Sequence, residues 1–185
     1  MSIPRSSLLV ALAFLLGLAV TAPAAPKIKV GQKAPDFALK SLDGSTVKLS
    51  QYQGKKVVLV EFFTTDCPWC AKAAPNTRKL FLRYRSKGLQ VVAVSVGDSA
   101  GAVRSWVSKN NYTGFPVLLD SDRKTRSAYG VSIVPTQVLV DKSGKVLQLY
   151  RGWTPKVEEA VGQDALAAAT GKPLPKHDFP LVGHG

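Results

Sequence analysis

The chain has 185 residues, of which 45% are apolar, and it carries 25 lysines and arginines against 12 aspartates and glutamates. This length is enough for one domain with a proper hydrophobic core, and the short apolar runs exclude a chain that crosses a membrane repeatedly. The basic residues are scattered along the sequence, which favours a solvated basic surface over a dedicated patch. A weak attraction to anionic lipid or to an acidic partner stays open.

The N-terminus has the pattern of a secretory signal peptide. Arg5 precedes an apolar run, Leu8–Val20, and Ala22-Pro23-Ala24 fits the small-x-small cleavage motif. The run is shorter than the roughly 20 residues that a membrane-spanning helix needs, and an uncleaved anchor is the alternative. We therefore predict a signal peptide at residues 1–24 and a periplasmic protein that does not bind nucleic acid.

Downstream, strand patterns alternate with helix patterns. In chain order, we predict a hairpin at 36–49 that turns at Asp43-Gly44, a buried strand at 57–63, a helix at 71–86, a buried strand at 89–96, a helix at 99–110, a strand at 117–119, a helix at 121–129 capped by Ser121, a hairpin of 136–140 and 146–150, and a helix at 154–171. This alternation predicts one α/β sandwich domain at residues 25–171. Residues 172–185 contain three prolines and little periodicity, so we predict a flexible tail.

The only two cysteines, Cys67 and Cys70, lie between a buried strand and a helix. A structural disulfide would contribute little here, because a two-residue spacer closes almost no loop in the unfolded chain. A zinc site needs four ligands, and both histidines, His177 and His184, lie in the predicted tail. A redox-active dithiol is therefore the favoured interpretation, and no metal is expected.

The start of the helix distinguishes the two thiols. Unpaired N–H groups and the helix dipole stabilise a thiolate at a helix N-terminus, so Cys67 is predicted to be the attacking sulfur. Cys70 lies one turn further along the helix and is predicted to resolve the mixed disulfide. Pro68 suits the first turn, because the N–H that a proline lacks would be unpaired there anyway.

Several segments carry a resemblance to a known family: APDFALKSLDG (34–44), VVLVEFFTTDCPWC (57–70), Pro75, and GVSIVPTQVLVDKSGKV (130–146). On these segments the chain resembles the thioredoxin superfamily, in particular its exported TlpA/ResA-like branch of thiol-disulfide oxidoreductases, which is related to peroxiredoxins. The resemblance implies a thioredoxin-like three-layer α/β/α sandwich with a mixed sheet and an N-terminal β-hairpin extension. It also implies a redox-active Cys67–Cys70 disulfide and no other cofactor.

The resemblance assigns further roles around the dithiol. Pro135 would follow a cis peptide bond that leaves the Val134 backbone free to pair with an extended substrate, whereas an ordinary trans proline is the alternative. Glu61 would be a buried acid that takes the proton from Cys70, unless it lies at a strand edge and reaches solvent. Trp69 would form an apolar platform for the partner, or else pack in the core.

Asp66 departs from the family pattern, since thioredoxins usually have tryptophan at this position. It could cap the active-site helix, and its charge destabilises the adjacent Cys67 thiolate. With Pro68 it is predicted to tune the redox poise, and an ionised Glu61 would act in the same direction.

We expect a reducing monomer that exchanges with client protein disulfides or thiols and is kept reduced by an upstream membrane electron donor. By resemblance, candidate clients are apocytochrome c and a copper-site assembly factor.

Two other functions stay open. A thiol peroxidase of the peroxiredoxin type would have a threonine three residues before its attacking cysteine, which Thr64 supplies, and a proline seven residues before it, where this chain has Val60. A copper-delivery protein on the same fold would need a histidine downstream of the cysteines. None lies between Cys70 and His177.

Overall fold

The computed structural model describes residues 28–183. The predicted signal peptide, residues 1–24, lies outside this range. Within the range, no helix is both long enough and apolar enough to cross a membrane.

Seven strands of the described chain form one sheet in the order β2-β1-β5-β4-β3-β6-β7. In chain order the elements are β1 (Ala38–Ser41), β2 (Thr46–Lys48), β3 (Val57–Phe63), α1 (Pro68–Tyr84), β4 (Leu89–Val96), α2 (Ala100–Lys109), β5 (Val117–Asp120), α3 (Lys124–Ala128), β6 (Thr136–Val140), β7 (Val146–Arg151) and α4 (Pro155–Ala169). Short 3-10 helices follow β2 and α1, at Leu49–Tyr52 and Arg85–Lys87.

The sheet is parallel at its centre and antiparallel on both sides. Strands β3, β4 and β5 are parallel neighbours, while β6 and β7 add antiparallel strands beside β3. The N-terminal hairpin of β1 and β2 pairs with β5 in the antiparallel sense. Every residue of β3 is buried, as a continuous apolar run predicts for a central strand. The predicted α/β fold class is therefore confirmed.

Alternate residues of β3 point into two hydrophobic clusters. Leu59 and Phe63 belong to the cluster that α1, α2 and α4 cover, whereas Val58 and Phe62 belong to the cluster on the other face, which contains Tyr129 after α3. The parallel register brings the carboxyl ends of β3 and β4 to the same edge of the sheet. The antiparallel strand β6 begins at this edge, with Thr136 opposite Phe62. Three loops therefore meet there.

The start of α3 differs from the prediction. The helix begins at Lys124, and Ser121 does not cap it. Instead, the buried carboxylate of Asp120 accepts hydrogen bonds from the N–H groups of Thr125 (3.1 Å) and Arg126 (2.8 Å). The carboxylate at the end of β5 offers a separate oxygen to each of two N–H groups of the first turn, whereas a capping serine has a single oxygen.

Residues 172–183, within the predicted flexible tail, contact the domain. Their apolar side chains Leu174, Phe179 and Leu181 pack against the cluster under α1 and α4. The N–H of Arg151 donates to the carbonyl of Leu181 at 3.0 Å, and the N–H of Gly183 donates to the carbonyl of Arg151 at 2.5 Å. The sequence did not predict these contacts because the apolar residues of this segment follow neither a helical nor a strand period.

Candidate active site

The two cysteines lie where β3 ends and α1 begins. They form a disulfide with their Cα atoms 5.3 Å apart. Cys67 is the N-cap of α1, and its sulfur accepts a hydrogen bond from the Cys70 N–H at 3.0 Å. Cys67 is 9% exposed and Cys70 is 1% exposed. Cys67 is therefore the more accessible of the two residues.

Asp66 does not cap this helix, so the capping role considered for it beside redox tuning is wrong. Cys67 has an extended backbone and is the last non-helical residue, so its own sulfur takes the capping position. Asp66 is exposed, one residue before the cap. Its side chain lines the same groove as Cys67. The charge of Asp66 thus lies beside the disulfide without any part in capping.

The loop before β6 packs against the disulfide. The peptide bond between Val134 and Pro135 is cis, which excludes the alternative of an ordinary trans proline. The carbonyl oxygen of Val134 lies 3.6 Å from the sulfur of Cys67. Behind the loop, the N–H of Gly152 donates to the carbonyl of Pro135 at 2.7 Å. The backbone of Val134 is therefore held directly beside the sulfur of the more accessible cysteine.

An open groove of about 390 Å³ runs between the active-site turn and this loop. Its lining residues are Thr64, Asp66, Cys67, Pro68, Trp69, Arg126, Ser132, Ile133 and Val134. Of the residues that the sequence singles out, six therefore line one groove: Thr64, Asp66, Cys67, Pro68, Trp69 and Val134. Cys70, Glu61 and Pro135 are buried beneath this surface.

Glu61 is in the interior, on the face of β3 that also carries Leu59 and Phe63. Its side chain is 1% exposed, so the alternative of a glutamate that reaches solvent is wrong. Its carboxylate accepts a hydrogen bond from Nε2 of Gln137, on the neighbouring strand β6, at 3.1 Å. Burial raises the pKa of Glu61, and the neighbouring Thr77 and Gln137 side chains offset part of this rise.

Tyr112 lies next to this carboxyl group. Its hydroxyl is buried and has no partner with hydrogen-bond geometry within residues 28–183. Burial and the nearby Glu61 carboxyl raise the pKa of Tyr112, so the phenol stays protonated. Glu61 is thus surrounded by neutral polar groups, and no cation is paired with it among the described residues.

The profile of the AhpC/TSA family matches residues 30–149. The chain belongs to this family. The thiol-disulfide oxidoreductase ResA of Bacillus subtilis (strain 168) is 38% identical over 125 residues, which are 68% of this chain and 69% of that protein. ResA of Bacillus anthracis is 34% identical over 126 residues, 68% of this chain and 72% of that protein.

Solved structures agree with this assignment. A proposed thiol:disulfide interchange protein DsbE from Chlorobium tepidum has 36% identity and a TM-score of 0.73, and the match covers 77% of this chain and 99% of that chain. A secreted Mycobacterium tuberculosis disulfide oxidoreductase has 26% identity and a TM-score of 0.56 over 61% of this chain and 81% of that chain. The protein is a thiol-disulfide oxidoreductase with a thioredoxin-like fold.

Asp98 supports the active-site turn of this oxidoreductase, and the sequence did not point to it. Its carboxylate accepts hydrogen bonds from the N–H and the hydroxyl of Thr65, both at 3.0 Å, and from the hydroxyl of Ser95 at 2.7 Å. Thr65 lies two residues before Cys67. A polar residue just after β4, the parallel neighbour of β3, is the sequence feature that could have indicated this contact.

Arg126 supports the opposite wall of the groove. Its Nε donates to the carbonyl of Val131 at 2.9 Å, and its Nη2 donates to the carbonyl of Ser132 at 3.3 Å. The guanidinium therefore holds the loop that leads to Pro135. No sequence pattern distinguishes Arg126 from the other scattered basic residues.

Trp69 lies between the cysteines and is half-buried. Its ring stacks on that of Trp153, with the centroids 5.8 Å apart and the planes inclined by 19°. The Nζ atom of Lys72 lies 4.4 Å from the centre of the Trp69 ring and 5.7 Å from that of Trp153. The oxidoreductase thus has two stacked indoles beside its disulfide, of which the sequence indicated only the first.

Proposed function

We propose that this protein is an exported reductase that transfers two electrons from its Cys67–Cys70 dithiol to disulfides of client proteins. The observation that carries the proposal is the unequal exposure of the two cysteine residues. Cys67 opens into the groove beside Val134, whereas Cys70 is buried behind it. One sulfur can meet a client while the other is kept for the second step.

The proposed reaction starts from the reduced protein. The Cys67 thiolate attacks one sulfur of a client disulfide and expels the other client sulfur as a thiolate. The Cys70 thiol then loses its proton and attacks the Cys67 sulfur of the mixed disulfide. This step releases the second client thiolate and forms the Cys67–Cys70 disulfide. The client gains two electrons and the protein loses two, so an upstream donor must reduce the protein again.

Three features support the individual roles. The Cys70 N–H that points at the Cys67 sulfur, together with the N-terminus of α1, favours a thiolate at Cys67. The buried Glu61 carboxyl, whose pKa is raised, is our candidate for the base that takes the Cys70 proton. The Val134 backbone beside the sulfur is suited to pair with an extended client segment, and its N–H has no partner within residues 28–183.

The direction of transfer is proposed from charge. A negative charge beside the dithiol disfavours the Cys67 thiolate and therefore the reduced form. Asp66 lines the groove with Cys67, and the Asp98 carboxylate binds Thr65, two residues before Cys67.

We propose a periplasmic location from the N-terminal pattern, and one relative is described as secreted. Apocytochrome c and copper-site assembly factors are the proposed classes of client.

The reduction potential tests this proposal. Equilibration of the purified protein with defined ratios of reduced and oxidised dithiothreitol should give a value closer to that of thioredoxin, about −270 mV, than to that of DsbA, about −120 mV. A value near the second would contradict a reducing role and would indicate an oxidase of client thiols.

A thiol peroxidase is the second candidate, and one observation favours it. Thr64, in the position that peroxiredoxins use, lines the groove with Cys67. Consumption of hydrogen peroxide by the reduced protein, at a rate that Thr64→Val lowers at least tenfold, would support this function.

A copper-delivery role has less support, since no group of three or more metal-binding side chains occurs in the described part of the chain.

A further inference from the structure

We infer that residues 172–183, here called the C-terminal strap, position Trp153 against Trp69 and thereby determine how well the oxidoreductase recognises protein clients. The inference rests on the proposed function, because it assigns part of the client surface beside Cys67. The expected client segment carries an apolar side chain next to its disulfide, since stacked indoles offer an apolar face there.

The strap is anchored in the interior at His177. Its Nε2 lies 2.9 Å from Oδ1 of Asp164 on α4, and the side chains of these two residues are 7% and 0% exposed. The other carboxylate oxygen, Oδ2, accepts a hydrogen bond from the hydroxyl of Tyr150 on β7 at 2.5 Å. The anchor thus joins three segments: the strap, α4 and β7.

Beyond the anchor, the strap runs beside the end of β7 as a short parallel pairing between Val182 and Arg151. The backbone of Arg151 is hydrogen-bonded to both neighbours of Val182, Leu181 and Gly183. The next residue, Gly152, donates its N–H to the carbonyl of Pro135. The strap therefore supports Arg151 and Gly152, which precede Trp153 and are hydrogen-bonded to the cis-proline loop through Gly152.

The end of the strap lies against Trp153 itself. A methyl group in place of the Gly183 hydrogen would come within 2.6 Å of the Trp153 carbonyl carbon and 2.7 Å of its oxygen. No Cβ fits at that distance from a backbone. Gly183→Ala must therefore push the strap away from Trp153 or move Trp153, and it changes no residue that lines the groove.

Two contacts orient the indole ring of Trp153. Its Nε1 donates to the Glu158 carboxylate at 2.7 Å, and its face stacks on Trp69. Trp69 lies between the two cysteines and lines the groove. A displacement of Trp153 is expected to alter the apolar surface that a client meets, without a direct effect on the sulfurs.

The test compares two substrates for each variant. Insulin, with dithiothreitol as the electron source, is the protein disulfide, and 5,5′-dithiobis(2-nitrobenzoic acid) is a small disulfide that needs no such surface. For Gly183→Ala we expect kcat/KM on insulin to fall about five- to tenfold through a higher KM, since loss of one ordered interface aromatic has effects of this size. The rate with the small disulfide should change less than twofold.

Gly101→Ala is the matched control, because a Cβ at Gly101 meets no atom within 4 Å. It should leave both rates unchanged. His177→Ala, which removes the anchor, should act like Gly183→Ala, and His177→Gln should partly restore the KM because its amide N–H can still donate to Asp164. The near-ultraviolet circular dichroism of the stacked indoles should change in step with KM.

A double variant decides whether the strap acts through Trp153. If it does, adding Gly183→Ala to Trp153→Ala should raise the KM for insulin no further. Additive effects, or equal losses with both substrates, would overturn the inference, as would unchanged kinetics in Gly183→Ala and His177→Ala. Wild-type protein that reduces neither substrate would overturn the proposed function itself, and this result appears before any variant is compared.

Discussion

Two of the buried carboxyl groups in the described part of this domain, those of Asp164 and Glu61, differ in their surroundings. Asp164 has a close partner on each oxygen, the Tyr150 hydroxyl and the His177 ring. Glu61 accepts a hydrogen bond from the neutral amide of Gln137, and the neutral hydroxyl of Tyr112 lies beside it. Both side chains are almost fully excluded from solvent, at 0% and 1% exposure.

The difference separates a structural role from a chemical one. Close partners on both oxygens let Asp164 hold together β7, α4 and the C-terminal strap, and within residues 28–183 neither oxygen is hydrogen-bonded to Cys67 or Cys70. Glu61 is in a more neutral environment, and burial raises its pKa. A carboxyl whose pKa moves toward that of a thiol can exchange a proton with it. Variants at the two sites should therefore change different quantities.

The largest effect is expected at the disulfide itself. Cys67→Ser should abolish disulfide exchange, because no attacking sulfur is left in the groove. Cys70→Ser should keep the first step and accumulate mixed disulfides with clients, since the resolving sulfur is missing. Non-reducing electrophoresis after incubation with a client disulfide measures both outcomes. Trapping by Cys67→Ser alone would reverse the assigned roles.

At the structural carboxyl, Asp164→Ala should lower the free energy of unfolding by about 2–4 kcal/mol, because it leaves two buried polar groups without their acceptor. The reduction potential should stay the same. Urea denaturation and redox titration measure the two quantities, with Asp178→Ala on the exposed part of the strap as the control. A shifted potential would show that Asp164 is coupled to the dithiol, and the contrast between the two carboxyls would fail.

At the chemical carboxyl, Glu61→Gln should slow the resolution of the mixed disulfide by a factor on the order of 10², the lower end of the range for a positioned base. The initial attack should change little, because the Cys67 thiolate depends mainly on the helix terminus. Stopped-flow kinetics separate the two steps, and Glu159→Gln, on the exposed face of α4, is the matched control. Equal resolution rates in both variants would remove the base role from Glu61.

The same variant should be more stable than the wild type at neutral pH. A carboxyl whose pKa is raised in the folded state stabilises the protein below its unfolded pKa, and this contribution is lost as the pH rises. Glu61→Gln should therefore raise the melting temperature at pH 7–8, and the gain should disappear below the ordinary value of 4.5. A gain that is independent of pH would show that ionisation of Glu61 is not its cause.

The smallest effect is expected at the exposed carboxyl beside Cys67. Asp66→Asn should make the reduction potential less negative by about 20 mV, because solvent and salt screen the charge that the substitution removes. Asp43→Asn, which removes an exposed charge at the first hairpin, should leave the potential unchanged. A potential that moves in the negative direction would show that the Asp66 charge does not disfavour the thiolate.

Local patterns accounted for most of the fold. The continuous apolar run at 57–63 predicted the buried central strand, and the helix that begins beside Cys67 followed from proline and the apolar face of α1. Capping was less predictable: Ser121 and Asp66 are both residue types that cap helices, but the Asp120 carboxylate and the Cys67 sulfur accept the N–H hydrogen bonds of those first turns. Capping is decided by the geometry of the turn as well as by residue type.

The sequence by itself determined the succession of strands and helices along the chain, and it placed the dithiol at a strand-to-helix junction. Both follow from residues that are close along the chain, because these set periodicity and helix starts. Only the tertiary structure decided that Glu61 is buried, that Asp98 reaches Thr65 across 33 positions, and that His177 meets Asp164. Such contacts depend on how elements pack, and no local pattern records a partner that folding brings from elsewhere in the chain. The strap shows this most directly: prolines and sparse apolar residues predict a loose end, yet their side chains fit a surface that exists only once α4 and β7 are in place.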